Sequence, residues 1–146
     1  MTIQQAPILV LVNSSPLLNN LMEEQLHLVF GDNLGLKKAA DFFEALQLID
    51  ELQHEGRAVA GTILFFEPHS QQQAFTYLHH LSVASPAASC VVYASSLEEA
   101  IVAAAELAAV QPRIKVLHLP WGFEELNTLV SRMLLRYSEH VNALVV

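Results

Sequence analysis

Apolar residues along the chain fall into short unbroken runs, separated by longer stretches where they recur every three or four positions. The runs are Ile8–Val12, a weaker one near Leu34–Ala40, Val59–Phe66, Ala88–Ala94 and Ile114–Leu119. Each is rich in Val, Ile, Leu or Phe and lacks clean polar alternation, as expected of parallel strands covered on both faces. Between them, Leu17–Phe30 places Leu18, Leu21, Met22 and Leu28 near one helical face. Phe42–His54 carries Phe42, Ala45, Leu46, Ile49 and Leu52 at helical spacing before Gly56 stops it. Ser70–Val83 and Leu97–Val110 follow, with Pro86 and Pro112 closing their exits. Phe123, Leu126, Val130, Met133, Tyr137 and Val141 trace a single stripe along a long last helix.

Strand and helix thus alternate five times, which predicts a three-layer α/β/α fold with an open, five-stranded parallel sheet. Right-handed crossovers gather every strand-to-helix loop at the carboxyl edge of such a sheet, so chemistry is expected there. The residues delivered to that edge are Asn13-Ser14-Ser15, Glu67-Pro68-His69, Tyr93-Ala94-Ser95-Ser96 and Leu119-Pro120. With no repeat, low-complexity tract or linker, residues 1–146 read as one domain. The last helix, about 123–145, would span roughly 34 Å, longer than a sheet of this size needs. Its apolar end, Val141 to Val146, is expected to pack on a second copy or to lead into a further domain.

Composition narrows the classes. Hydrophobic residues make up 53% and charged ones 15%, too apolar for disorder. The formal charge is −8, with seven Lys and Arg and no basic run longer than Lys37-Lys38. Direct nucleic-acid binding is not expected, because phosphate backbones require clustered cations. Cys90 is the single cysteine, so an intramolecular disulfide is excluded, and its apolar setting reads as a buried small hydrophobe. The apolar run of "MTIQQAPILVLV" is too short for a signal peptide or membrane span, so the cytosol is the expected compartment.

With this order of elements in place, several stretches resemble the receiver domain of two-component response regulators. "ILVLVNSSPLLNNLM" is similar to the receiver opening, where a hydrophobic strand ends in aspartates. "ADFFEALQLIDEL" is similar to the stretch after the second strand. "TILFFE" resembles the third strand, which ends on the phosphoacceptor aspartate. "CVVYAS" resembles the fourth strand, and "VLHLPWGFEEL" the fifth strand with its Lys-Pro-Phe. The resemblance covers almost the whole chain and implies the strand order 2-1-3-4-5 with five helices.

It also implies which residues stand at the phosphorylation-site positions, and these depart from the pattern. The acidic pair that holds Mg²⁺ in receivers corresponds to Asn13 and Ser14, both uncharged. Glu67 stands at the nucleophile, one methylene longer than aspartate, which misplaces the attacking oxygen for in-line transfer. The hydroxyl position corresponds to Tyr93, with Ser95 as the alternative, and the lysine position to Leu119. Pro120 is retained, and the resemblance implies a cis Leu119-Pro120 bond. Phosphotransfer, a bound cofactor and enzymatic turnover are therefore not expected.

Other features have plainer readings. Ser96 with Glu99 fits a capping box, and Asn13-Ser14-Ser15-Pro16 fits an N-cap followed by proline at the first helical turn. No Gly-x-Ser-x-Gly elbow is present, and His69 beside Glu67 is the one histidine on this edge with an acid to orient it. The adjacent His79-His80 point to different sides of a helix, so no metal site is expected. The fourth helix, "LEEAIVAAAELAAV", is apolar almost all round. Receivers use the surface of the fourth helix, fifth strand and fifth helix for dimers and output contacts. Ile101, Ala105, Trp121, Phe123, Tyr137 and Val141 are accordingly the candidate interaction residues.

The expected function is a degenerate receiver acting, independently of phosphorylation, as a protein–protein interaction or dimerisation module in signal transduction or transcriptional regulation. Its partner would be a signalling or output domain, or a second copy. The alternative is a flavodoxin-like domain binding a small ligand or nucleotide at the carboxyl edge, although the first loop has no Gly-rich phosphate cradle.

Overall fold

Five strands form one all-parallel sheet: β1 (Ile8–Val12), β2 (Gly35–Ala39), β3 (Val59–Phe65), β4 (Ser89–Ala94) and β5 (Ile114–His118). Their order is β2-β1-β3-β4-β5. The helices are α1 (Pro16–Phe30), α2 (Phe42–His54), α3 (Gln71–Ala84), α4 (Leu97–Leu107) and α5 (Phe123–Val145). The computed structural model describes residues 6–111, 113–118 and 122–145. The predicted order and element types are those observed, with ends displaced by at most three residues.

The missing polar alternation in the strands has a direct cause. Ile8, Val10, Val12, Leu64 and Val92 enter one core with residues of α2, α3 and α4, including Phe42, Ile49, Leu81 and Leu107. Their neighbours Leu9, Leu11, Ile63 and Val91 enter a second core with Met22 and Leu26 of α1 and Leu126, Val130 and Met133 of α5. Both sheet faces are dry, so both sets of positions are apolar. One buried polar chain crosses the first core, where the Tyr77 hydroxyl donates to Thr62 Oγ1 at 2.8 Å. Thr62 Oγ1 in turn donates to the Val10 carbonyl at 2.8 Å, so neither hydroxyl is left unpaired.

The stripe expected on α1 is corrected. Its buried residues are Asn19, Met22 and Leu26, whereas Leu18, Leu21 and Leu28 are exposed at 46%, 44% and 80%. Asn19 decides the rotation, because its Nδ2 donates to the carbonyls of Asn13 (3.2 Å) and Ala39 (3.1 Å) at the ends of β1 and β2. A helix turned to bury the leucines would leave those strand-end carbonyls without this donor.

Close contact of α5 with the sheet depends on Gly61 of β3. A β-carbon there would meet Met133 Cε at 2.1 Å and the Ser89 carbonyl oxygen at 2.7 Å. Of the stripe predicted along α5, Leu126, Val130 and Met133 are core and Tyr137 packs against them, whereas Phe123 is exposed and Val141 half-buried. None of the described helices is long and apolar enough to cross a membrane.

Candidate functional site

The sheet reverses its winding between β1 and β3, so a crevice is expected where their carboxyl ends diverge. A cleft of about 300 Å³ lies there, bordered by Asn13, Ser14, Asp41, Phe43, Glu67 and His69 among others. Three loops build it, and each is held by local chemistry.

After β1, the Asn13 amide donates to the Ala39 carbonyl at 3.1 Å, extending the pairing by one residue. Asn13 Oδ1 then accepts from the Ser15 amide at 2.9 Å and turns the chain. Ser15 caps α1 by accepting from the Leu18 amide at 3.3 Å, with Pro16 opening the helix. After β2, Asp41 caps α2 by accepting from the Glu44 amide at 2.8 Å. After β3, Pro68 opens a single 3₁₀ turn, Pro68–Ser70, whose Ser70 amide donates to the Glu67 carbonyl at 2.9 Å. The proline behind Glu67 is thus the start of a helical turn that fixes the carboxylate at the strand end.

Glu67 is half-buried and uses both oxygens. Ser14 Oγ donates to Oε1 at 3.2 Å, and His69 Nε2 lies 3.0 Å from Oε2. The acid therefore stands between the hydroxyl and the imidazole. A nucleophilic serine requires the imidazole in the middle, as acceptor of the hydroxyl proton. This arrangement cannot generate an alkoxide.

The fourth strand contributes Tyr93, which reaches across the sheet so that Asn13 Nδ2 donates to its hydroxyl at 2.6 Å. Phe65 lies between them in register and meets the Tyr93 ring at a centroid distance of 5.1 Å. Burial pushes the Tyr93 phenol up to about 12, against the lowering effect of the Asn13 hydrogen bond. A neutral phenol and a neutral carboxamide thus occupy the space between the ends of β1 and β4. Among the described residues no group of three His, Cys, Asp or Glu side chains converges to hold a metal ion.

Of the residues singled out from the sequence, Asn13, Ser14, Glu67 and Tyr93 are brought together by hydrogen bonds. Asn13 joins Tyr93 and Ser14 joins Glu67, and the two pairs meet at the β1 loop. Ser95 is exposed and does not border the cleft, while Ser96 caps α4 by accepting from the Glu99 amide at 3.2 Å. Leu119, Pro120 and Trp121, with the expected cis bond, lie outside the described residues. On the candidate interaction surface, Ile101 (61%), Ala105 and Phe123 (39%) are exposed. Val141 and Tyr137 are half-buried, and Tyr137 packs against the second core. Sequence reasoning missed Asn19, Asp41 and Phe43. Asp41 with Glu44 has helix-start spacing, and Asn19 is a polar residue inside an apolar stretch, so both left a signal.

The fold is that of response-regulator receiver domains. The signal receiver domain of an HD domain-containing protein from Pseudomonas fluorescens superposes with a TM-score of 0.70 at 21% identity, covering 97% of this chain and 96% of that one. A response regulator receiver protein from Sinorhizobium medicae gives 0.69 at 18% identity, covering 91% and 98%. A response regulator receiver modulated diguanylate cyclase from Pelobacter carbinolicus gives 0.66 at 14% identity, covering 93% and 98%. No protein-family model matches the chain, and no curated protein matches it.

Proposed function

We propose that the chain is a degenerate receiver: a phosphorylation-independent protein–protein interaction module in signal transduction or transcriptional regulation, without enzymatic turnover. The observation that carries this reading is the Asn13–Tyr93 hydrogen bond. It sets a neutral, hydrogen-bonded carboxamide and phenol where a receiver needs carboxylates for a hard divalent cation. Glu67 is likewise engaged by Ser14 and His69 rather than presented for attack.

The interaction role draws on α4, where Leu97 and Ile101 are 58% and 61% exposed one turn apart, followed by Ala105. Isolated exposed apolar residues are ordinary, but a row along one helix favours a partner. Two of the similar structures are receivers belonging to proteins with an HD domain and a diguanylate cyclase, which supports an output domain as that partner. A second copy of the chain is the other candidate.

The test is incubation with acetyl phosphate and Mg²⁺, followed by intact-mass measurement. No phosphoryl adduct is expected, and a stoichiometric one would sink the proposal. A second reading, in which a small ligand binds at the carboxyl edge, is favoured by the cleft beside Glu67. A molecule copurifying there, contacting Phe43 and Asn13, would establish that reading instead.

A further inference from the structure

The chain's cations are not spread evenly. At the opposite, amino edge of the sheet, a cleft of about 330 Å³ opens between α5 and the beginnings of β4 and β5. Arg113, Lys115, Arg132 and Arg136 border it, four of the seven Lys and Arg in a protein with 15 acidic residues. Among the described residues, none of the four lies within 4.0 Å of a carboxylate; the ion pairs belong to Lys38, His69 and His80. Arg113 donates to the Pro86 carbonyl and has further N–H groups to give. Arg132 and Arg136 stand one turn apart on α5, a like-charge spacing that disfavours the helix unless an anion sits between them. Ser89, at the start of β4, also borders the cleft.

We propose that this cleft binds a small phosphate monoester of about nucleoside-monophosphate size. Guanidinium groups pair phosphate oxygens two at a time, so a set of three Arg and one Lys favours phosphate over a single carboxylate. Ser89 adds a hydroxyl donor at the base, and Met133 supplies an apolar wall for the organic part. The volume lies at the lower end for small-ligand sites, and a concave pocket encloses such a ligand better than the flat side of a partner protein. The site is separate from the carboxyl-edge cleft and does not depend on the receiver reading.

The test is a titration of the isotope-labelled full chain, followed by amide chemical shifts, with AMP, adenosine and inorganic phosphate as probes at fixed low salt. AMP is expected to move the signals of Ser89, Lys115, Arg132 and Arg136 saturably, with a Kd of about 0.1–1 mM. Inorganic phosphate should bind the same residues about tenfold more weakly, and adenosine not at all. The exposed double substitution R132Q/R136Q should weaken AMP binding about tenfold or more while the remaining spectrum is unchanged. Lys37→Gln, which removes an exposed cation outside the cleft, should leave AMP binding unaltered. The proposal is overturned if AMP gives no saturable shift at these residues, if adenosine or inorganic phosphate binds as tightly as AMP, or if R132Q/R136Q binds normally. It is also overturned if AMP has no effect and the same substitution abolishes a salt-sensitive self-association, which would assign the cleft to a second copy.

Discussion

Asn13 and Tyr93 are 80 positions apart in the chain and 2.6 Å apart in the fold, the carboxamide donating to the phenol beneath the carboxyl edge. The phenol oxygen gives the Asn13 amide an acceptor where neither group reaches water freely. Tyr93→Phe would keep the ring and remove the acceptor, leaving a buried N–H group unpaired. The expected loss is about 1–3 kcal/mol, read from denaturant unfolding. A change indistinguishable from zero would mean that Asn13 has another acceptor.

Alkaline pH should expose the same burial. The phenols of Tyr93 and Tyr77 and the Cys90 thiol are all pushed up by loss of solvent, Tyr93 from 10.0 to about 12. The unfolded chain releases these protons first, so above the ordinary values it holds fewer protons than the folded protein. Stability is therefore full below about pH 9 and falls as pH rises toward 12, by up to about 1.4 kcal/mol per pH unit for each group. Unfolding curves collected from neutral to alkaline pH check this, and Tyr93→Phe should flatten the dependence.

Glu67 is half-exposed and its partners are a surface hydroxyl and an exposed histidine. Glu67→Gln should shift stability by no more than about 0.5 kcal/mol. If the carboxylate holds the domain in a phosphorylated-like state, the same change must also weaken partner binding or self-association. The expected result is no such change, because a single carboxylate lacks the charge and third oxygen of a phosphoryl group. Light scattering of the two proteins distinguishes these outcomes.

Gly61→Ala tests how closely α5 sits on the sheet. Met133 Cε could swing aside, but the Ser89 carbonyl at 2.7 Å from the new methyl is backbone and cannot. A loss of about 1–3 kcal/mol is expected. Met133→Ala combined with it should recover little, since the backbone clash persists.

Ile101→Glu places a charge on the exposed face of α4 without touching the core. Monomer stability should stay within about 0.5 kcal/mol of the parent. Association with a partner or a second copy through this face should be lost, as measured by sedimentation of the mixture.

The alternation of apolar runs with helical spacing determined the layers, the element order and the edge where loops meet. These depend on local pattern and on chain connectivity, which the sequence carries directly. Ser96 and the Asn13-Ser14-Ser15 stretch before Pro16 capped the helices they preceded because capping is a contact over three residues, and Asp41, though missed, caps α2 in the same way. The rotation of α1 was decided only by tertiary structure. Leu18, Leu21 and Leu28 had the spacing of a buried stripe, but the carbonyls left at the ends of β1 and β2 drew Asn19 inward. The site divided in the same way. Order along the chain placed Asn13, Ser14, Glu67 and Tyr93 at one edge, while side-chain reach decided their pairing. Tyr93 crosses the neighbouring strand to Asn13, and Glu67 is shared by Ser14 and His69. The basic cleft was invisible for the same reason. Arg113 and Lys115 are alternate residues near β5, Arg132 and Arg136 are one turn apart on α5, and only the packing of that helix on the sheet brings their charges together.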